Sequence, residues 1–481
     1  MFFRKQNPPS SWTDKEKVYN NKSSHKELPN FLSLTNPHLR YALFLSVFLF
    51  AWFLVLVFWF PPNPNLNNNN NHNFNNVGHC NIANFSVYVY DMPAEFNVGL
   101  LEDCRHLNIY TDMCPHVANR GLGQPISVMG LPAAEPTAMP SWFATHQFIA
   151  EMIFHARVEN HPCRTRDPRR ASLFYVPFYG GLHASSKFRE PNLTARDVLA
   201  VRLADFLESQ PFWERNQGKD HFIALGRTAW DFMRSDHGPD FGANCLLNLP
   251  AVTNMSVMTV ERNPWNGAKQ HGIPYPSYFH PSTWQEMSTW QDEVKRASRP
   301  NLFSFIGGPR KGLEKAAIRE ELIKQCAGSN RCELLQCQPG QHKCHEPGEV
   351  LGVMRRSEFC LQAPGDSFTR RSTFDSVLAG CVPVFFSRHT AYTQYKWFLP
   401  EDEREYSVYI DEKSEESGRI EEVLGRIPRE RVERMREKVV ELIPTLTYAH
   451  PNATATDLGF HDAVDVALAS LADHVRRNLV S

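Results

Sequence analysis

Short apolar runs rich in β-branched and aromatic residues alternate with amphipathic stretches along most of this chain. The alternation predicts strands at 84–91 (NFSVYVYD, stopped by Met92 and Pro93), 171–179 (ASLFYVPFY, stopped by Gly180 and Gly181), 221–225 and 255–260. Helices are predicted at 142–158 and 195–209. A second series starts at Asn301, with strands at 302–306, 332–335, 359–363, 382–386 and 406–410 and helices at 313–326, 348–356 and 370–379. Strands alternating with helices imply parallel sheets with both faces covered. Pro264, Pro274, Pro276, Pro281 and Pro300 interrupt periodic structure between the two series. The expected fold class is therefore α/β with two Rossmann-like domains, 81–290 and 291–450, and a site in the cleft between them. Helices at 429–442 and 463–475 follow, the second lying in a C-terminal segment, 451–481, expected to pack on the body of the protein.

Residues 41–60, YALFLSVFLFAWFLVLVFWF, break this pattern: 20 consecutive uncharged, mostly apolar positions match the thickness of a bilayer core. Seven Lys or Arg against three acids precede the run, and residues 61–80 carry no Lys, Arg, Asp or Glu. The bias predicts a type II signal anchor with residues 1–40 in the cytosol and the rest luminal. Ten asparagines among residues 61–80 make that stretch a flexible stem. Sequons at Asn84, Asn192, Asn254 and Asn452 are the expected glycosylation sites, whereas the one at Asn21 would stay bare. All eleven cysteines fall beyond the anchor, which favours disulfides. For Cys326, Cys332, Cys337 and Cys344 the spacing suits bridges better than zinc, and Cys104 with Cys114 is a further local pair. The net charge of −1 excludes the electrostatic footprint of a nucleic-acid binder and points to a neutral polymer or a small molecule.

The stretch 359–386, FCLQAPGDSFTRRSTFDSVLAGCVPVFF, reads as one βαβ unit. Its helix begins just past a strand end, where free N–H groups and the helix dipole hold phosphate. Gly365, Asp366, Ser367, Thr369, Arg370, Arg371 and Ser372 crowd the turn, and Asp375, about one turn on, suits a ribose diol. Ile306-Gly307-Gly308-Pro309-Arg310 is a second strand followed by a glycine turn, with Arg310 aimed at phosphate. The 371–383 segment resembles the donor-binding helix of two-domain (GT-B type) nucleotide-sugar transferases. The whole stretch resembles the exostosin-like glycosyltransferases of family 47.

That resemblance extends over roughly residues 84–450 and also rests on VYVYDMP (87–93), LFYVPFYGGLH (173–183), GRTAWDFMRSDHG (226–238), NPWNGAKQHGIPYPSYFHP (263–281) and FSFIGGPRKG (303–312). Within the family the blocks are most similar to plant xyloglucan galactosyltransferases. The resemblance implies a Golgi enzyme that moves galactose from UDP-galactose to xylosyl side chains of xyloglucan with inversion, alone or in complexes with other Golgi glycosyltransferases. It leaves open galacturonic acid as the sugar, mannan as the acceptor, or an inactive glycan-binding scaffold. No Asp-x-Asp follows the anchor, so the diphosphate is expected to leave with help from arginine and helix dipole rather than a metal. Inversion needs a base from the first domain, for which Asp91, His183 and Asp231 are candidates, with His237 a further alternative. Trp142, Trp230, Trp265, Tyr275 and Tyr278 are candidates to stack on acceptor sugars, two or three of them at most.

Overall fold

The computed structural model describes residues 45, 46, 48, 85–127, 139–235, 242–310, 312–338 and 343–480. The predicted anchor (apart from helical Leu45, Ser46 and Phe48), the stem, Asn21, Asn84 and His237 lie outside the described residues. Among the described residues no helix is long and apolar enough to cross a membrane.

Alternating β-rich and amphipathic segments produce two parallel sheets. The first contains β1 (Val87–Val89), β2 (Arg164–Thr165), β3 (Leu173–Val176), β4 (His221–Thr228), β5 (Ser256–Glu261) and β6 (Gln270–Gly272), in the order β2-β1-β3-β4-β5-β6. The second contains β7 (Asn301–Gly307), β8 (Cys332–Gln336), β9 (Ser357–Gln362), β10 (Val382–Phe385) and β11 (Val408–Tyr409), in the order β11-β10-β9-β7-β8. Each pairing is parallel, with registers such as Val87↔Leu173 and Phe303↔Phe359. Both orders are doubly wound in the flavodoxin-like manner rather than the 3-2-1-4-5-6 Rossmann order, and they reverse between β1 and β3 and between β7 and β9.

The helices that matter for the site are α1 (Ala150–Glu159), α2 (Gly180–Ser186), α3 (Leu193–Glu208), α4 (Trp284–Arg296), α5 (Ile318–Gly328), α6 (Pro347–Arg355), α7 (Arg371–Leu378), α8 (Arg429–Glu441) and α9 (Ala463–Val480). Residues 142–149 are not helical as expected: Trp142 and Phe143 form antiparallel bridges with Phe279 and Pro125, and the chain turns into α1 only afterwards. The proline-interrupted stretch 264–300 contains β6 and α4, both unanticipated. For α4 the signal was present, since Thr283 and Glu286 form a reciprocal capping box.

A single buried apolar cluster runs from β1 and β3–β5 through α4 to β7, β9 and β10, so the two sheets share a core. A second cluster, around Phe174, Leu203 and Ile223, covers the other face of the first sheet. Disulfides join Cys104–Cys114, Cys326–Cys332, Cys337–Cys344 and Cys360–Cys381, as the disulfide reading of the 326–344 group required. Asn192 and Asn452 are exposed and Asn254 is half-buried; Asn192 also caps α3 through Ala195 N.

The C-terminal segment that leads into α9 packs on α1. Arg157 on α1 donates to Asp462 Oδ2 at 2.7 Å, both side chains being buried. Asp462 in addition accepts from Ala449 N, Val464 N and Asp465 N, each at 3.0 Å. Asp462→Ala leaves Arg157 only the longer contact to Asp465, at 3.8 Å, and strands three amides, and is expected to destabilise the chain by about 3 kcal/mol, read by urea unfolding.

Candidate functional site

The carboxyl ends of β7 and β9 are neighbours at the point where the second sheet reverses its order, the usual place for a ligand crevice in an open parallel sheet. Glycine lets two turns approach closely there. A Cβ on Gly307 would strike the Arg319 guanidinium, one on Gly308 the Cys337 carbonyl, and one on Gly365 the Arg370 guanidinium.

Arg319, from the first turn of α5, ties the turns together. Its Nε donates to Gly308 O at 2.7 Å and its Nη1 to Ala363 O and Pro364 O at 3.3 Å each, above the Phe305 ring. Burial, with Arg370 and Arg310 nearby, pulls its pKa down to about 10. Arg370 is the N-cap of α7, in extended conformation, and its Nη1 donates to Thr369 O at 3.0 Å. Burial lowers its pKa, opposed by Tyr275, Asp366 and Glu261. Arg310 Nε meets Asp366 Oδ1 at 3.1 Å on the rim. Three guanidiniums thus converge on two glycine turns and a helix start, an arrangement suited to a diphosphate. Gly365→Ala leaves a tolerable backbone but pushes Arg370 aside. It is expected to weaken binding of a diphosphate ligand, probed with UDP, tenfold or more without unfolding the chain, as read by calorimetric titration.

The expected donor set divides at the start of α7. Arg370 faces the turn, but Arg371 donates Nη1 to Thr145 O at 2.7 Å and lies over the Tyr278 ring, 3.5 Å from its centroid. Asp375, expected at a ribose, is buried; Oδ1 accepts from Ser277 Oγ at 2.6 Å and Oδ2 lies 3.5 Å from Arg371 Nε. The physical reason is local geometry: Arg370, extended at the N-cap, lies outside the helix, whereas Arg371 opens it and Asp375, four positions on, shares the face of Arg371. Arg371 and Asp375 therefore brace the contact between the two sheets. Burial raises the pKa of Asp375, with Arg371 and Ser277 opposing. Ser372 Oγ is committed to Gln362 Oε1 at 2.6 Å. Asp366 is exposed and holds Arg310 rather than facing an anion of its own charge, while Ser367 is half-buried with its carbonyl taking Gly365 N.

The first sheet meets this turn through Glu261, at the end of β5. Its carboxylate accepts from Thr369 N at 2.8 Å, Thr369 Oγ1 at 2.5 Å and Trp230 Nε1 at 2.9 Å. Tyr275 OH also bonds Thr369 Oγ1, at 3.0 Å. Distance from this contact ranks the candidate bases, because parallel strands stand about 4.8 Å apart. Asp231 follows β4, one strand from β5; His183 follows β3, two strands away; Asp91, exposed, follows β1, three strands away. Asp231 Oδ2 accepts from Arg227 Nε at 2.7 Å and Thr228 Oγ1 at 3.3 Å. His183 is buried with Nδ1 lacking a hydrogen bond, and burial, then Lys187, lowers its pKa to about 4.

Of the aromatic candidates, Tyr275 and Tyr278 are buried, and Trp142 packs on Phe279 and Trp290 at 4.7 Å each. Trp265 remains 63% exposed. Its ring lies 5.8 Å from Trp230, 5.8 Å from Phe368 and 5.5 Å from His389, so an open aromatic group lines the rim where the sheets meet.

The Exostosin GT47 domain matches residues 82–424, a span that contains both turns, Glu261 and Asp231. The chain belongs to the exostosin GT47 family. Among relatives from Arabidopsis thaliana, it is 66% identical to "Probable xyloglucan galactosyltransferase GT17" over 82% of this chain and 84% of that one. It is 44% identical to "Xyloglucan galactosyltransferase MUR3", over 81% of this chain and 62% of the other. It is 40% identical to "Xyloglucan-specific galacturonosyltransferase 1", over 82% and 57%. A solved pneumococcal O-GlcNAc transferase in complex with UDP and GlcNAc overlaps 57% of this chain and 60% of its own at TM-score 0.23 and 11% identity, too distant to inform the site.

In this GT47 chain, sequence reasoning missed Arg319 and Glu261. Arg319 sits inside an ordinary amphipathic helix, with no local mark of its role. Glu261 ends an apolar strand, and a charge at that position was the one available hint.

Proposed function

We propose that this chain is a Golgi type II membrane glycosyltransferase that transfers galactose from UDP-galactose to xylosyl side chains of xyloglucan, inverting the anomeric centre. The observation that carries the reading is the meeting of Arg310, Arg319 and Arg370 at the two glycine turns beside the open Trp265 rim. The xyloglucan relatives support the acceptor and the sugar. In a GT-B type arrangement the second sheet holds UDP at its switch point and the first presents the acceptor. Asp231 takes the proton of the attacking xylosyl hydroxyl, the hydroxyl oxygen bonds to the galactosyl C1, and the C1–O bond to UDP breaks, with the three arginines neutralising the departing diphosphate. No metal takes part in this scheme.

The second reading, galacturonic acid as the sugar, is favoured by the similarity to the galacturonosyltransferase. Transfer by the purified chain, offered UDP-galactose or UDP-galacturonic acid with xyloglucan in EDTA, separates the two. Galactosylated product in EDTA is expected. Product only after Mn²⁺ is restored overturns the metal-free scheme, and no product from either donor favours a glycan-binding protein.

A further inference from the structure

We propose that Glu261 is a positioning residue that seats both substrates, holding the donor turn and the acceptor-side tryptophan in one register. The inference rests on the reading above that the turn binds UDP and the aromatic rim binds the acceptor. Glu261 has no solvent exposure. Oε1 accepts from Trp230 Nε1 at 2.9 Å and Phe368 N at 3.4 Å, and Oε2 from Thr369 N at 2.8 Å and Thr369 Oγ1 at 2.5 Å. All four donors are neutral. Burying a carboxylate among neutral donors is costly, and one indole N–H could be satisfied by an amide or hydroxyl at far smaller cost. What the carboxylate adds is short, directional, charge-assisted bonds to the peptide immediately before Arg370.

Those bonds set the N-cap of α7 and, through it, the Arg370 guanidinium. The same carboxylate orients the Trp230 ring, which touches Trp265, which in turn touches Phe368, whose amide Glu261 also holds. The contacts close a ring across both sheets. A shift of Glu261 therefore displaces the phosphate seat and the sugar platform together.

The test uses the full chain, UDP as the donor-site probe and a xyloglucan oligosaccharide as acceptor. Glu261→Gln keeps the shape and puts an amide N–H against a donor. It is expected to raise both the UDP Kd and the acceptor KM about tenfold while the melting temperature stays close to wild type. Thr369→Val, which removes one hydroxyl, is expected to raise the UDP Kd and stands in should Glu261→Gln fail to fold. Because Glu261 acts through Arg370, the double variant Glu261→Gln, Arg370→Ala should bind UDP no more weakly than Arg370→Ala alone. Trp230→Phe should raise the acceptor KM and leave the UDP Kd in place. Additive losses in the double variant, or UDP and acceptor constants within twofold of wild type in Glu261→Gln or its stand-in, overturn the proposal. Wild type failing to bind UDP would instead sink the donor-site reading beneath it. UDP binding lost in Arg370→Ala but kept in Glu261→Gln would sink this inference alone.

Discussion

Asp231→Asn is expected to lower turnover 10²–10⁴-fold while leaving UDP affinity near wild type. Of the three carboxylate and imidazole candidates, Asp231 is nearest by strand order to the Thr369 turn, just past the strand beside the one whose end grips Thr369. Arg227 and Thr228 hold its Oδ2, and Asn in its place can keep both of those contacts through its carbonyl oxygen. In the proposed mechanism, what the substitution removes is the ability to take a proton from the attacking hydroxyl. Steady-state kinetics with saturating donor, set beside calorimetric UDP binding, read the two quantities separately. A Kd change without a kcat change would reassign Asp231 to binding. A turnover near wild type would move the base to His183, tested by His183→Gln.

The second large effect is on stability in mild acid. His280 is buried and His146 and His271 are half-buried, with pKa values lowered to about 3, and buried His183 is lowered to about 4, loss of hydration being the largest cause in each case. Neighbouring charges add to it: His116, Arg371 and Arg227 beside His146, and His474, Arg262 and Lys269 beside His271. Above the ordinary histidine value of 6.5, folded and unfolded chains are alike in leaving these rings neutral. Below it the unfolded chain takes up protons that the folded chain refuses, so their stabilisation is present above pH 6.5 and is lost as pH falls toward the folded values. Each such histidine costs about 1.4 kcal/mol per pH unit once well below its unfolded pKa, so four together cost about 4 kcal/mol between pH 6.5 and 5.5. Urea midpoints at pH 7, 6 and 5 should therefore fall steeply, and His280→Gln, if folded, should flatten the slope by roughly one proton. Midpoints independent of pH would mean that these rings are hydrated in the folded chain.

The βαβ unit at 357–385 was legible because its signals are local: a β-rich run, a proline-glycine stop, an amphipathic period and a second β-rich run. The same holds for α3, α8 and most strands, whose side-chain periods are written in neighbouring residues. Nothing local marked which of the consecutive Arg370 and Arg371 would face the turn. That was settled by contacts distant in the chain, which commit Arg371 to Thr145 and Asp375 to Ser277, residues 226 and 98 positions away.

By itself, then, the amino-acid order determined the alternation of strand and helix, the glycine turns and the residue types that suit an anion, because each depends on backbone conformation or on chemistry within a few residues. Only the tertiary structure decided that Arg319 joins Arg310 and Arg370, that Glu261 closes the first sheet onto the turn before α7, and that Trp265 stays open while Tyr275 and Tyr278 are buried. Those outcomes depend on which strand ends become neighbours across two sheets, and long-range pairing of that kind leaves no periodic trace in the chain.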